Sequence, residues 1–395
     1  MLYNLFKDIK KDISSTYYIL SNYFFSKKLV PSLILLLISI LYISSYILSP
    51  FSNADPAFYT IIGRSYLRDG IIPYHYIFDH KPVFIYMFYG IWAFLLPFTN
   101  GKFTILAILL SAVFVFSCSI FGKYNKILAA LILLLIGAPF DPLSGNSEIV
   151  LISLEAVCFC FIQMGINKNK EKYYIFSGVL SSIVININYL SAICLLLPMV
   201  ILIFFEGIFS FKRIIFFIIG NIIGITIVFM PLIIAGNNSI ENYFYLQSNY
   251  MKHYSGSYSD RVYSIFLESA YALASLPIII SWMNIKLSNF NKLRIKNLVL
   301  PAWAASSFIA TLLSGHPFSH YFLLCFAPIS IMMAILINDK NEINAHYIYF
   351  IIFVSSLFMI NETRQNLRTY LYNKEIDFSK IDNEIKNNSV LSIRA

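Results

Sequence analysis

A stretch between the first two apolar segments of the chain carries an unusual density of charge. Residues 53–82 read NADPAFYTIIGRSYLRDGIIPYHYIFDHKP. Their acids and strong bases are Asp55, Arg64, Arg68, Asp69, Asp79 and Lys81. A carboxylate close to several cations suits two kinds of chemistry, removal of a proton by a general base and stabilisation of a developing anion. This stretch is therefore the first candidate for a reactive site.

Asp55 is the acid best placed to act as a base, and the sequence leaves two interpretations open. Apolar residues recur at helical spacing between Pro56 and Arg68, which predicts an amphipathic helix along the membrane surface. They are Phe58, Tyr59, Ile62 and Tyr66. Asp55 would precede this helix as its N-cap, with Pro56 at the first helical position. Alternatively, partial desolvation at the bilayer surface raises the proton affinity of Asp55 and equips it for general-base work.

Three further charged residues have a structural and a functional interpretation. Lys81 is either an interfacial anchor beside an apolar run or a ligand for phosphate. Glu148 ends the polar run 141–148, DPLSGNSE, and either favours a helix start or helps to bind a substrate. Glu155 lies about two turns further on. It would be submerged in the membrane, where an acid is a functional candidate.

A second motif with possible chemistry is the run 314–322, SGHPFSHYF. His316 and His320 are four residues apart, but Pro317 argues against one regular helix carrying both. No third metal ligand is evident. We expect His316, His320 and Tyr321 to face a phosphate or an acceptor, and interfacial anchoring is the alternative.

Two polar stretches have weaker signals. Asn186 and Asn188 either supply hydrogen bonds to a substrate or join helices within lipid. The run 236–261, predicted as an outer loop, is rich in Tyr, Asn and Ser, which suits a sugar-binding surface and equally an aromatic belt. Lys252, His253 and Arg261 would add cations to the same face.

The remainder of the chain is suited to hold these residues in a membrane. Hydrophobic residues make up 58% of the 395, and only 12% are charged, against about a quarter in ordinary globular domains. The net charge of +9 is scattered through short loops, so nucleic acid is excluded as a partner. The five cysteines fall in apolar segments and are expected to be free thiols. No nucleotide-binding motif is present and no cofactor is predicted; a divalent cation stays an open alternative that no motif indicates.

Composition therefore predicts an all-α polytopic membrane protein. Taking roughly 17 to 25 apolar residues as one crossing, several of the predicted segments are short. The segments are 29–49, 82–98, 103–121, 127–140, 149–166, 173–187, 189–205, 214–235, 262–283, 298–314, 320–337 and 346–361. Residues 1–28 are too long and polar for the start of a cleavable signal peptide, so the first segment is expected to be a retained anchor.

Orientation follows from the excess of Lys and Arg on cytoplasmic loops. The basic residues expected inside are Lys7, Lys10, Lys11, Lys27, Lys28, Lys168, Lys170, Lys172, Lys212, Arg213, Lys286, Lys292, Arg294 and Lys296. The runs 141–148, 236–261 and 314–319 are then outside. Twelve simple crossings cannot put both the N-terminus and these later loops on their predicted sides of the membrane. One segment between 82 and 140 is therefore expected to be re-entrant or peripheral, which leaves about eleven crossings.

Three regions are predicted from these assignments. Residues 1–28 are a cytoplasmic N-terminal segment, and 29–361 form the transmembrane domain, with the first outer loop at 50–82. Residues 362–395 are a polar C-terminal tail.

The order of the motifs resembles the GT-C glycosyltransferases, in particular bacterial enzymes similar to protein mannosyltransferases and aminoarabinose transferases. The residues that carry the resemblance are Asp55, Tyr59, Gly70, Pro73-Tyr74, Asp79-His80-Lys81-Pro82, Glu148 and 315–321. The chain departs from the family pattern at Pro56, where a second acid is common, and at Val83, where Pro or Gly is common. Asn188 stands near the family's Lys, and His316 stands where Arg is common.

The resemblance implies a GT-C type transmembrane bundle of about 11–12 helices with an amphipathic surface helix in the first outer loop. It implies transfer of a sugar from a polyprenyl-phosphate-linked donor to a lipid or glycan acceptor, at the extracytoplasmic face of the bacterial inner membrane. Asp55 would be the general base in an inverting displacement. The donor phosphate would be bound by Lys81, Arg64, Arg68 and His320. The substrate would be bound by Glu148, Tyr59, His316, Tyr321 and Asn188.

A transporter or flippase of a lipid-linked glycan is the alternative, because it too would have many spans with buried polar residues. The sequence shows no paired halves and no repeated broken-helix pattern. Its charges gather in outer loops rather than along a central path. A non-catalytic scaffold would explain neither the first loop nor the His-Tyr motif.

Overall fold

The structure is a computed structural model. It describes residues 29–48, 54–76, 81–96, 102–205, 210–253, 257–287, 295–316, 318–338 and 345–375. Within these ranges the regular elements are fourteen α-helices with short 3-10 and π turns, and no strand is formed. The predicted all-α class is therefore confirmed. Asp79 and His80, the tail from 376 onward and the N-terminal segment 1–28 lie outside the described residues.

The helices follow the apolar segments closely, since each predicted segment overlaps at least one of them. The first seven are α1 Leu29–Leu48, α2 Ala54–Asp69, α3 Val83–Leu95, α4 Lys102–Ser117, α5 Lys126–Gly137, α6 Ser147–Lys168 and α7 Lys172–Ile185. The other seven are α8 Leu190–Val200, α9 Phe211–Ala235, α10 Asn237–His253, α11 Tyr258–Leu287, α12 Val299–Ser314, α13 Phe322–Asn338 and α14 Ala345–Glu375.

The chain is a multi-pass membrane protein. By length and composition, five stretches within the described ranges are suited to cross a bilayer: Lys102–Ile120, Ser147–Lys168, Phe211–Ala235, Tyr258–Asn284 and Ser319–Ile337. The stretches built on α6 and α13 are the most deeply buried, at 67% and 83% of their residues, so these two helices lie at the centre of the bundle. Helix α1 has 20 residues, the length of a typical span, whereas α3, α5, α7, α8 and α12 form apolar stretches of 10–17 residues.

Helix α6 separates two ends of opposite character. Its 22 residues extend about 33 Å, close to the roughly 30 Å of a hydrocarbon core. The loop 141–146 precedes it, whereas Lys168 ends it beside Tyr173, with 3.3 Å between the Lys168 Nζ and the Tyr173 hydroxyl. An ion pair of 2.5 Å joins Glu171 to Lys212 at that second end. The basic loops at 168–172 and 212–213 therefore meet at the end of α6 opposite the loop 141–146, and the side of the membrane that each end faces stays a prediction.

Two regions differ from the sequence prediction. Residues 237–253, within the predicted loop 236–261, form helix α10, because Ser239, Tyr243 and Gln247 recur every four residues and bury one face. This stripe is polar, so hydropathy did not reveal it. Helix α14 continues to Glu375 across the predicted boundary at 361–362. The division into three regions stays a prediction.

Candidate functional site

Helix α2 is held against α3 by direct backbone contact. A Cβ on Gly63 would collide with the carbonyl oxygen of Tyr86 and would lie 2.6 Å from the amide nitrogen of Gly90. Conversely, a Cβ on Gly90 would lie 2.7 Å from the Gly63 carbonyl. Glycine is therefore required at both positions, and the contact fixes where α2 sits.

Asp55 lies in the first turn of α2, which begins at Ala54. Asp55 is thus the second residue of the helix and not the residue before it, so the prediction that it is the N-cap is wrong. The side chain of Asp55 is exposed. Its charge reaches the hydroxyl of Tyr89 on α3, as does the charge of Glu148 on α6. The structure thus brings the predicted base and the predicted substrate-binding acid into one neighbourhood.

Tyr89 joins the elements that form this neighbourhood. Its ring centroid lies 5.4 Å from that of Tyr59 on α2 and 6.3 Å from that of Phe103 on α4. Its hydroxyl donates a hydrogen bond of 2.6 Å to the carbonyl oxygen of Gly145. Tyr59 itself is buried between the rings of Tyr86 and Tyr89, so its clearest role is to position Tyr89. Direct contact of Tyr59 with a substrate stays a prediction.

Glu148 is almost completely enclosed, with 1% of its surface exposed. One carboxylate oxygen accepts a hydrogen bond of 3.0 Å from the Ser147 hydroxyl. The other oxygen is buried and has no hydrogen-bond partner among the described residues. A buried acceptor without a partner is costly, and substrate binding by Glu148 stays a prediction.

Asp141 extends the group of acids on the other side of Glu148. It has a left-handed backbone, with φ 55°, and its carboxylate accepts a hydrogen bond from the Tyr46 hydroxyl. Burial raises the pKa of Asp141, while the Tyr46 hydrogen bond and nearby His320 oppose that rise and Glu148 adds to it. A non-glycine residue in the left-handed region is held there by its surroundings. Its surroundings thus hold Asp141 in place as a third acid of this region, after Asp55 and Glu148.

Two cations approach the same region from α2 and α4. Arg64, next to Gly63, is close enough to Lys102 for the two charges to influence each other. The Lys102 ammonium lies 5.0 Å from the centroid of the Phe103 ring. Phe103 in turn packs against Gly145, whose Cβ position is 2.8 Å from the Phe103 Cβ. Arg64 and Lys102 therefore lie on the Phe103 side of the Tyr89–Gly145 contact.

Arg68 and Lys81 are placed differently from Arg64. Arg68 is exposed and forms a two-pronged ion pair with Asp69, at 2.8 and 2.9 Å. The carbonyl oxygen of Lys81 accepts hydrogen bonds from the Tyr74 hydroxyl and, at 3.4 Å, from the Gln247 amide. These contacts dock the loop before α3 onto α10. The roles of Arg68 and Lys81 as phosphate ligands stay predictions.

The two histidines of the second motif, His316 and His320, both stack on the ring of Phe318. Phe318 stacks on His316 at 5.1 Å and on His320 at 5.5 Å between centroids. His316 lies in the turn after Gly315, whose φ is +67°, whereas His320 belongs to a short turn, Ser319–Tyr321, that leads into α13. The two histidines therefore do not share one regular helix. Tyr321 is buried beside them.

Asn188 is used by the local backbone. Its side-chain oxygen accepts a hydrogen bond of 3.1 Å from the amide of Leu190 at the start of α8. The Asn186 amide likewise donates a hydrogen bond of 2.9 Å to the carbonyl of Ser182. These contacts favour a structural role for both residues, and substrate binding by Asn188 stays a prediction.

Glu155 lies deep within the bundle, with none of its surface exposed. The indole nitrogen of Trp303 donates a hydrogen bond of 2.8 Å to one carboxyl oxygen, and the other oxygen has no hydrogen-bond partner in the described part of the chain. The expected burial of this acid is confirmed. No group of three His, Cys, Asp or Glu residues suited to hold a metal occurs within the described ranges.

Sequence reasoning missed several members of this site. Tyr89 looked like one more aromatic residue of an apolar segment, and Lys102 like a topology signal. Asp141 lay in a run that the sequence did single out, but its partner Tyr46 is 95 residues away. The available signal was the run DPLSGNSE itself, which contains Asp141, Gly145 and Glu148.

No protein-family model matches the chain, and no curated protein matches it. The fold is similar to the solved oligosaccharyltransferase of Archaeoglobus fulgidus in complex with Zn and sulfate, at 11% identity and a TM-score of 0.45, over 84% of this chain and 53% of that one. It is also similar to the archaeal oligosaccharyltransferase AglB from Archaeoglobus fulgidus in complex with an inhibitory peptide and a dolichol-phosphate, at 14% identity and a TM-score of 0.47, over 90% and 56%. The chain spans about half the length of these structures.

Proposed function

We propose that this chain is a GT-C type glycosyltransferase of the cell envelope. It transfers a sugar from a polyprenyl-phosphate-linked donor to an acceptor at the extracytoplasmic face of the membrane. The observation that carries the proposal is the packing of Tyr89 against Tyr59 of α2 and its hydrogen bond to Gly145 just before α6, because Asp55 and Glu148 stand in the first turns of those two helices. The cations Arg64 and Lys102 are close to each other in the same region. Acids beside cations at the end of a membrane helix suit a reaction that removes a proton and releases a phosphate.

Asp55 is the general base of the proposed reaction. It is exposed at the start of α2, so an acceptor hydroxyl can approach it. Asp55 takes the hydroxyl proton while that oxygen forms a bond to the anomeric carbon of the sugar. The bond from the anomeric carbon to the phosphate oxygen breaks in the same displacement, which inverts the configuration. The polyprenyl phosphate leaves with the electron pair as an anion.

Positive side chains stabilise the leaving phosphate as its charge develops, which is where fixed cations contribute most. Arg64 is the sequence-predicted ligand whose position best supports this role, and Lys102 joins it from α4. His320 lies on the opposite side, near Asp141. Lys81 and Arg68 are further candidates for the same phosphate, and Arg68 would first have to leave its ion pair with Asp69.

Glu148 and Asp141 orient the sugar in this proposal. Glu148 is enclosed and has an oxygen without a partner among the described residues, and Asp141 is partly buried in the loop before it. Buried carboxylates of this kind accept hydrogen bonds from sugar hydroxyls, and such bonds raise specificity because an unmade bond is costly.

A lipid-linked donor suits the surroundings of α2. Its outward residues include Phe58, Ile61 and Leu67, which are exposed although apolar. Apolar side chains on the free face of a charged helix are typical of helices that lie at the membrane interface. A donor that diffuses in the bilayer would reach Asp55 from that side.

The second candidate function is a transporter or flippase of a lipid-linked glycan. The buried acids Glu155 and Glu268 favour it, because intramembrane acids often serve proton-coupled transport. Neither lies among the residues that converge on Tyr89. A flippase would move the donor across a bilayer without forming a glycosidic bond.

Mass spectrometry of surface glycans tests the proposal. Cells that lack the protein should lose one sugar modification, which the wild-type chain restores and an Asp55→Asn variant does not. The purified protein, supplied with membrane lipid extract from the deficient cells, should release polyprenyl phosphate. The flippase is favoured instead if reconstituted vesicles show transbilayer movement of the lipid-linked sugar without any transfer, to the same extent for the wild type and for Asp55→Asn.

A further inference from the structure

An open groove of about 930 Å³ lies between α1 and α14, and its lining includes neither Asp55 of α2 nor Glu148 of α6. Apolar side chains from both helices line it, with two arginines of α14 along the same wall. The residues that matter here are Ile38, Leu41, Ile360, Leu367, Arg364 and Arg368. The combination of an apolar trough with a cationic row is the first observation.

The position of the arginines along α14 is the second observation. The helix has 31 residues, about 46 Å, so it is longer than the roughly 30 Å of hydrocarbon. Its apolar stretch ends at Ile360 and the polar residues begin at Asn361. Arg364 and Arg368, one turn apart and both exposed, therefore belong to the boundary between lipid and water. Within the described residues neither guanidinium has an ion-pair partner.

We propose that this groove binds an anionic membrane phospholipid. The acyl chains lie against Ile38, Leu41 and Leu367, while the phosphate accepts hydrogen bonds from Arg364 and Arg368. Guanidinium groups match phosphate in geometry and charge. An apolar trough with a row of cations at its end selects for a molecule that has both features, and a membrane phospholipid supplies them.

A resident phospholipid fits the groove better than the sugar donor does. Leu41, Ile360 and Leu371 are about half exposed, at 47%, 49% and 60%, so the groove opens sideways to bulk lipid. Tyr42 and Tyr46 on α1 are buried, and the charge of Glu362 on α14 acts on both tyrosines. Among the described residues the groove lining contains no carboxylate that could orient a sugar, so a lipid without a sugar is the better occupant.

The bound lipid would tie α1 to α14. Their packing includes the hydrogen bond of 3.4 Å from Asn366 to Ser45 and the burial of Met359 beside Tyr42 and Tyr46. Because Tyr46 also holds Asp141, loss of the lipid would loosen that contact. The inference stands on the groove alone and does not depend on the proposed transferase activity.

Native mass spectrometry of the purified, delipidated protein tests this inference. Phosphatidylglycerol is the probe, with phosphatidylcholine as the comparison of zero net charge and undecaprenyl phosphate as the carrier-lipid comparison. The double variant Arg364→Gln/Arg368→Gln should bind phosphatidylglycerol at least about tenfold more weakly, since two charge-assisted bonds are lost. The control Lys170→Gln/Lys172→Gln removes the same charge between α6 and α7 and should bind as the wild type does.

A second variant covers the case in which the double variant does not fold. Leu41→Trp keeps both arginines and fills the groove, so it should also release the lipid. The inference is overturned if phosphatidylcholine binds as well as phosphatidylglycerol, or if both the arginine and the Leu41→Trp variants retain wild-type binding. It is also overturned if undecaprenyl phosphate displaces phosphatidylglycerol, because the groove would then hold the carrier lipid.

Discussion

The backbones of Gly63 on α2 and Gly90 on α3 touch, with 2.6 Å between the Cβ position of Gly63 and the amide nitrogen of Gly90. Asp55 lies about two turns before Gly63 on the same helix. The place of the carboxylate is therefore set by a contact between two residues that have no side chains.

A methyl group at this contact should displace α2. Gly63→Ala is expected to cost about 1–3 kcal/mol of stability through overpacking and to reduce sugar transfer further by moving Asp55. Thermal unfolding and transfer rate, measured on the same preparation, check this. Gly122→Ala is the control, because its Cβ would meet only the side chain of Ile335, at 3.0 Å. Full transfer activity in Gly63→Ala would show that the position of α2 does not matter.

Two buried acids on α6 should respond differently to the same substitution. Glu148→Gln is expected to lower transfer strongly, because it removes a charge beside Tyr89. Glu155→Gln should leave transfer near the wild-type rate, since a glutamine oxygen can still accept the Trp303 hydrogen bond. The transfer rates of the two variants give the comparison. If both variants lose the same fraction of the transfer rate, Glu148 has no role in transfer that Glu155 lacks.

The stability of the protein should depend on pH through Asp141. Burial raises the pKa of this carboxyl in the folded state, so the protonated form is favoured by folding. Its contribution to the free energy of unfolding is fully present below the ordinary pKa of about 3.9 and is lost as pH rises through the higher folded pKa. Asp141→Asn, which stays neutral, should therefore become more stable than the wild type as pH rises.

Thermal unfolding of both proteins across that pH window makes the comparison. Asp69→Asn is the control, because Arg68 lowers the pKa of Asp69 and the pH dependence of stability should therefore run in the opposite direction. The wild type should gain slight stability over Asp69→Asn as pH rises. Parallel curves for wild type and Asp141→Asn would mean that Asp141 is not held as described.

Arg64 and Lys102, the two cations near Phe103, should bind the phosphate of the lipid-linked donor. Arg64→Ala and Lys102→Ala are each expected to weaken donor use by roughly tenfold to a hundredfold, the range for loss of a charge-assisted hydrogen bond. The measured quantity is kcat/KM for the lipid-linked donor. Lys170→Ala removes an exposed cation at the opposite end of α6 and should have little effect. If Lys81→Ala has the larger effect, the phosphate lies on the α10 side instead; if Arg68→Ala does, the phosphate lies at the C-terminal end of α2.

Much of the fold could be predicted from the sequence, because apolar runs report helices in a membrane protein directly. Each of the predicted segments overlaps a helix, and α2 was expected from its spacing. Helix α10 was missed since its buried face consists of Ser239, Tyr243 and Gln247, which hydropathy does not separate from a loop.

The site was less predictable than the helices. Asp55 and Glu148 were named because each opens a helix beside polar residues. Lys102 and Tyr89 gain their meaning only from contacts across the fold, as in the hydrogen bond from Tyr89 to Gly145, 56 residues away. No local pattern records such a contact. The same holds for the pairing of Tyr46 with Asp141.

The measurement that tests the central claim most directly is the transfer rate of Asp55→Asn. Purified wild type, Asp55→Asn and Asp69→Asn are compared with one lipid-linked donor, by release of polyprenyl phosphate and by donor binding. The proposed mechanism predicts that Asp55→Asn binds donor as the wild type does but loses transfer by at least about a hundredfold, within the usual range for a general base, while Asp69→Asn remains active. Transfer by Asp55→Asn at the wild-type rate would contradict the role of Asp55 and, with it, the proposed chemistry.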